Sequence, residues 1–425
     1  MSGNDPLNPE NFDLQKLLAQ LSQMFGAGGG GLFGPQGDPW DQATKVAVAI
    51  ASESGAEPNV EPADRIAIED LARVADMYAR QRPGVSLADG VTIAAVSRRT
   101  WTTDAVAAYK PFFDRFSEAV SENGSTELTL DDDLSPEEAA ILGPMSQMFG
   151  QMLSQLAPTM VITSAGAMLG HLGQRVIGSY DLPIPRPGKV VQVVPAGMKE
   201  VAEATGAPLR EVQMFVLIHE LIAHSVLSVP HVADRLESLY LDFASAFRPN
   251  PDALMGDLGN ITDLAQIAEL SAKMADGNAM LNSMRTKTHD LLVPQLDALV
   301  AAVLGFVENA TMAACAKLMT GHPAIRDALR ARRVNASDPE NFMEKLLGLN
   351  IDDATLERGE SFIAGIIERA GDAGLERLWA DQLDLPTPAE VDAPGLWLAR
   401  IGIGEDGDAS SSFEIPDDLS GLDDH

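Results

Sequence analysis

The chain has 425 residues, 45% of them hydrophobic and 22% charged, enough to bury a sizeable core in one elaborate domain or two packed subdomains. Its 62 acidic residues against 30 Lys and Arg leave a formal charge of -32, a surface that repels nucleic-acid phosphates and anionic membranes. The only cysteine, Cys315, lies in an apolar helical run and is read as an inert core residue.

In chain order, residues 1–38 read as a flexible N-terminal segment. A short amphipathic helix (Leu14, Leu17, Leu18, Leu21, Met24) is followed there by a Gly-rich tether through Gly31. The segment has neither a basic n-region nor an apolar h-region, so a cytoplasmic address is expected. No run of eighteen uninterrupted apolar residues occurs, and membrane insertion is not expected. The folded domain is placed at 39–403, and 404–425, with eight acidic residues, as an acidic disordered tail.

Within the domain, periodicity predicts helices over 41–54, with Val46, Val48, Ala49 and Ile50 apolar, and over 62–80, with Ile66, Ile68, Leu71, Val74 and Met77 inward. A third begins at Thr102, with Thr103 or Asp104 as its cap. Residues 121–138 read as an acidic loop, with Ser135 capping the next helix. Gly166, Gly170 and Gly173 fall at short helical spacings that let two helix backbones approach closely. Pro183, Pro185 and Pro187 forbid helix, and 189–194 is the strongest strand candidate. Further helices are expected over 231–247, 264–275, 294–318, 323–333, 341–348 and 354–370, and from Leu375. Arg326, Arg330, Arg332 and Arg333 read as a solvated face balancing nearby acids; the alternative, phosphate binding, has no Gly-rich phosphate loop beside it.

The most apolar helical stretch, Pro208 to Pro230, carries the chemistry. Its centre reads His219-Glu220-Leu221-Ile222-Ala223-His224, one residue longer than the zinc-protease pattern H-E-x-x-H. In that pattern two imidazoles at i and i+4, about 40° apart, share one zinc ion, and the Glu between them activates a metal-bound water. Here His219 and His224 stand about 140° apart on a regular helix, whereas Glu220 and His224 share a face. Three arrangements remain open. A π-bulge at 221–223 could restore the phase. Glu220 and His224 could be ligands or a hydrogen-bonded pair. Or none of the three binds metal and all are satisfied polar groups of a buried helix. His231, His171, His289 and His322 are read as structural.

The chain resembles the zincin-like metallopeptidase family found mainly in actinobacteria. Beyond the motif, the resemblance rests on Trp40-Asp41-Gln42-Ala43, the Gly-rich run from Met168 to Gln174, and Val229-Pro230 with Asp234-Arg235-Leu236. Leu304-Gly305-Phe306-Val307-Glu308, Arg330-Ala331-Arg332-Arg333, Leu346-Leu347-Gly348-Leu349, Leu356-Glu357-Arg358-Gly359 and Leu378-Trp379 continue it in the family's order. The resemblance implies a mainly α, zincin-like fold with a small β component near 189–194. It also implies zinc-dependent hydrolysis of a peptide-like bond, with a peptide or protein substrate. Carried over by position, Glu220 matches the general base and His219 the first ligand. The second-histidine position holds Ala223, with His224 one step late. The family's distal acid falls on Leu304, and Glu308, one turn on, is the substitute. Zinc would then be held by His219, His224 and Glu308. The alternative is a catalytically inactive member that serves as a binding or scaffolding module.

Overall fold

The computed structural model describes residues 38–52, 59–122, 158–159, 161–248, 284–334 and 344–403. The expected N-terminal helix, the Ser135 cap, the helix over 264–275 and the acidic tail lie outside the described residues.

The described chain is mainly α-helical with a single two-stranded parallel sheet. Helix α1 is Pro39–Ala51 and α2 is Pro62–Arg80; each begins with Pro at its first position, where the missing N–H costs nothing. The faces they bury differ from those expected. Trp40, Ala43, Ala47 and Ala51 are buried in α1, and Ile68, Leu71, Ala75 and Ala79 in α2, while Ile66 and Met77 are 59% and 50% exposed. The alanine rows face inward because helices press on them closely. Helix α4, at 161–175, lays its glycines on α1, where a Cβ at Gly166 would come within 2.8 Å of the Ala43 carbonyl oxygen and one at Gly170 equally close to that of Ala47. The glycine spacing read from the sequence is thus a close helix crossing, as expected.

Strand β1, Thr92–Ala95, pairs in parallel with β2, Val190–Val193, in the register Thr92↔Val190 through Ala95↔Val193. The second strand lies where the sequence placed it. The first was not expected, since four residues reading Thr-Ile-Ala-Ala carry no alternation. Between them, α3 spans Arg98–Glu122, starting one turn before Thr102. Its cap is Ser97, whose hydroxyl accepts from Thr100 N–H at 3.2 Å and whose carbonyl accepts from Trp101 N–H. The Thr103 hydroxyl instead bonds back to the Arg99 carbonyl. Ser97→Ala is therefore expected to lower stability by about 1 kcal/mol, and Thr103→Ala to stay within about 0.5 kcal/mol, in paired denaturant titrations. Equal costs would return the cap to Thr103.

After α5, Pro195–Thr205, helix α6, Leu209–Leu227, runs through the centre of the molecule. Fifteen of its nineteen residues are buried, so it needs neighbours on every side. It packs on α2, α5, β2 and two later helices, α8 (Lys287–Cys315) and α9 (His322–Val334). Pro230 turns the chain by 79° into α7, Pro230–Ser245. Helix α8 begins two turns before Pro294, the expected start. A capping box of Thr286 and His289 holds its first turn and offsets the backbone bond that Pro294 lacks. By length and composition α8 could cross a membrane; it packs against α6, α7 and α10 (Asp353–Arg377), and Cys315 is buried at its end. Gly305 of α8 and Gly359 of α10 meet backbone to backbone, and a Cβ on either would overlap the other helix's main chain. Helix α10 breaks at Gly371 (φ 58°), just past the expected end at 370. Two short helices close the described chain, α11 (Pro388–Asp392) and α12 (Pro394–Arg400).

Candidate functional site

The central stretch is α-helical from Leu209 to Leu227 with no π-turn inserted, so the phase is regular. His219 and His224 stand five residues apart, about 140° around the axis. The bulged arrangement is not the one adopted. His219 is at the surface of the helix bundle, its side chain 34% exposed, with Nδ1 3.5 Å from Oε1 of Glu220. His224 is buried, and its Nδ1 lies 2.6 Å from the phenol oxygen of Tyr180.

Glu220 is buried as well, and one of its oxygens is fully engaged. Oε2 accepts from the backbone N–H of Ser179 at 2.6 Å and of Tyr180 at 3.1 Å. The carboxylate lies flat against Gly178, where any Cβ would overlap it. That close approach explains why glycine stands at 178 in the sequence Gly-Ser-Tyr-Asp. Glu220 and His224, one turn apart on α6, therefore both grip Tyr180, one by its backbone and one by its phenol. They fasten the 178–181 segment, which leads from α4 toward β2. The Ser179 hydroxyl continues the connection by accepting from Gln192 N–H at 2.8 Å on the strand itself. Burial holds the Tyr180 phenol well above its usual range and the His224 imidazole below its own. Tyr109, whose hydroxyl donates to the Ser179 carbonyl at 3.4 Å, is pushed up to about 12 by burial.

In front of this segment lies a cavity of about 140 Å³ between α6, α8 and α9. His219, Glu220, Tyr180 and Asp181 form one wall, and Leu304, Glu308 and Thr311 of α8 another. Arg175 and the α9 residues Arg326, Arg330, Arg332 and Arg333 complete it. The α9 arginines are half-buried and line the cavity, rather than forming a solvated face. The acids expected to balance them are present. Arg330 pairs with Glu360 at 2.8 Å and Asp353 at 3.2 Å, Arg332 with Glu200 at 3.4 Å, and Arg326 lies 3.6 Å from Glu308. Burial pushes the Asp181 carboxyl up to about 6; the charge of Glu220 adds to this and the nearby arginines oppose it. Glu308 is pushed up to about 7, first by burial and then by the Glu360 carboxyl beside it.

Of the four residues the sequence singled out, the fold brings His219, Glu220 and Glu308 to one cavity; His224 does not line it. The donor set does not fit a zincin zinc. His219 and His224 stand about 140° apart on a regular helix, His224 does not line the cavity, and Ala223 and Leu304 offer no ligand atom. Among the described residues no group of three or more His, Cys, Asp or Glu side chains is arranged to hold a metal ion. Tyr180, Asp181, Arg175 and Thr311 were not anticipated. Gly178 next to Ser179 and Tyr180 was the available signal, a glycine before an aromatic with no turn to explain it.

A family model described as zincin-like metallopeptidase matches residues 39–398. A solved structure from Chloroflexus aurantiacus, described as "a putative hydrolase with a novel fold", superposes with a TM-score of 0.56 at 18% identity. The match covers 85% of this chain and 98% of that one, and it carries the fold alone. No curated protein matches the chain.

Proposed function

The chain belongs to the zincin-like metallopeptidase family, and from that premise we propose that it is a non-hydrolytic member that keeps the fold and its cavity as a binding module. The observation that carries this reading is the engagement of Glu220. A general base must present its carboxylate to a water at the reacting centre. Here Oε2 of that carboxylate is held by Ser179 N–H and Tyr180 N–H, and Gly178 closes over the group. Two backbone donors on one oxygen are a structural use of a carboxylate. The altered neighbours agree, since Ala223 and Leu304 stand where the family pattern expects histidine and an acid.

The rival reading, a zinc-dependent hydrolase of a peptide-like bond, is favoured by family membership and by His219, Glu220 and Glu308 sharing one cavity. Metal analysis of the purified full chain separates the two. After exposure to excess zinc and desalting, the non-hydrolytic reading expects less than about 0.1 zinc per chain, far from the near-unit occupancy of a built site. About one zinc per chain, lost in His219→Ala and accompanied by peptide hydrolysis, would sink it. A peptide or protein substrate belongs to the hydrolytic reading, and the acidic surface disfavours nucleic acid in either.

A further inference from the structure

We infer that the cavity between α6, α8 and α9 is a binding site for a small oxyanion, a phosphate or a carboxylate, read by the α9 arginines and by Thr311. The inference deepens the binding-module reading and rests on it for the use of the cavity, though not for the binding itself.

Charge is the first observation. In a chain of net charge -32, five arginines line this one cavity against three carboxylates, Asp181, Glu220 and Glu308. One of the three, Glu220, already has an oxygen turned to the backbone N–H groups of 179 and 180. The arginines are not idle: Arg326 binds Asp327 and lies 3.6 Å from Glu308, Arg330 binds Glu360, Asp353 and the Asp353 carbonyl, and Arg332 binds Glu200 and the Arg175 carbonyl. Those pairs orient the guanidinium groups. A guanidinium carries five N–H donors in a rigid fork, so two or three acceptors still leave donors over. Arg175 and Arg332 also bond each other's backbone carbonyls, which fixes two of the five relative to each other across the α4–α9 boundary.

Thr311 is the second, independent observation. It is fully buried, it lines the cavity from α8, and its hydroxyl is without a hydrogen-bond partner among the described residues. A threonine inside a helix ordinarily satisfies its hydroxyl on the carbonyl four residues back, as Thr44, Thr102 and Thr163 do here. A buried hydroxyl left open keeps the full cost of its lost hydration. A group that enters the cavity and accepts from it recovers that cost.

Size sets the class. A volume of about 140 Å³ equals only a few water molecules, at about 30 Å³ each in the liquid. It admits one tetrahedral phosphate or one carboxylate with a short stem. Phosphate and carboxylate share the chemistry that arginine and a hydroxyl recognise, charge-assisted donation to oxygen.

The test uses the full-length chain with sodium phosphate in one arm and sodium succinate in the other. Binding is read by calorimetry against sodium chloride at matched ionic strength, and zinc content is measured on the same sample. A saturable signal at millimolar concentration in either arm is expected, and the arm that responds names the source. Thr311→Val preserves shape and removes only the hydroxyl; Arg326→Gln removes the most exposed of the α9 guanidinium groups. Each should weaken binding about fivefold or more while the protein stays folded by circular dichroism. No saturable binding in either arm, or equal binding in both folded variants, overturns the inference. Zinc-loaded protein that still binds the anion would overturn the non-hydrolytic reading and leave this one standing. Zinc-free protein that binds neither anion would do the reverse.

Discussion

Replacing Glu220 by alanine is expected to lower folding stability by about 3–5 kcal/mol, and replacing it by glutamine by only about 1–2 kcal/mol. The grading follows from the bonds. Alanine leaves the Ser179 and Tyr180 N–H groups buried without an acceptor, at about 1–3 kcal/mol each, and opens a void beneath Gly178. Glutamine keeps an amide oxygen where Oε2 was and loses only the charge on the acceptor. A carboxylate kept for catalysis behaves in the opposite sense, because its removal commonly leaves stability unchanged or raises it. Denaturant unfolding at unchanged m-value reads the difference directly. An alanine variant as stable as the parent would remove the structural role and return Glu220 to the reaction.

The second large effect is a gain. Ala223→His with Leu304→Glu is expected to raise bound zinc from less than about 0.1 to about one per chain, without conferring peptide hydrolysis. A histidine at 223 stands four residues from His219, about 40° around a helix that the structure shows to be regular. A glutamate at 304 projects from a half-buried position that already lines the cavity with His219. Three ligands then converge where two positions now offer none. Ala223 is buried, so the added imidazole costs about 1–3 kcal/mol of overpacking, which metal binding offsets. Hydrolysis should stay absent because Glu220 remains held by the 179–180 backbone. A folded double variant that takes up no zinc would mean that the cavity is not the decayed position of a metal site. Hydrolysis by the double variant would mean that the backbone donors do not immobilise Glu220.

Much of the fold was legible because it depends on local periods. The helix over 62–80 was placed to the residue, and the strand near 189–194 to within one residue at each end. The glycines at 166, 170 and 173 announced a close crossing, since only a missing Cβ lets backbones meet. Other features misled for physical reasons. The inward faces of α1 and α2 were assigned to the larger apolar side chains, but the closest packing selects alanine, and Ile66 and Met77 were left to solvent. The Ser97 cap was hidden among Ser-Arg-Arg-Thr, where several residues could start a helix. Strand β1 has meaning only beside β2, 98 residues along, because four residues without alternation give no signal of their own.

The candidate site divides along the same line. The sequence by itself determined that His219, Glu220 and His224 share one apolar helix, and that a regular helix holds the two histidines about 140° apart. Those are properties of spacing, and the fixed rotation per residue settles them. Only the tertiary structure decided what the side chains do there. Glu220 finds its partners at Ser179 and Tyr180, 41 and 40 residues away, and His224 finds the Tyr180 phenol 44 residues away. The arginines of α9 read as a surface in sequence because charge pattern carries no sense of direction; packing α9 over α6 turned them into a cavity. A helical period says which residues share a face, and only the element packed against that face says whether a carboxylate there meets water, metal or two backbone N–H groups.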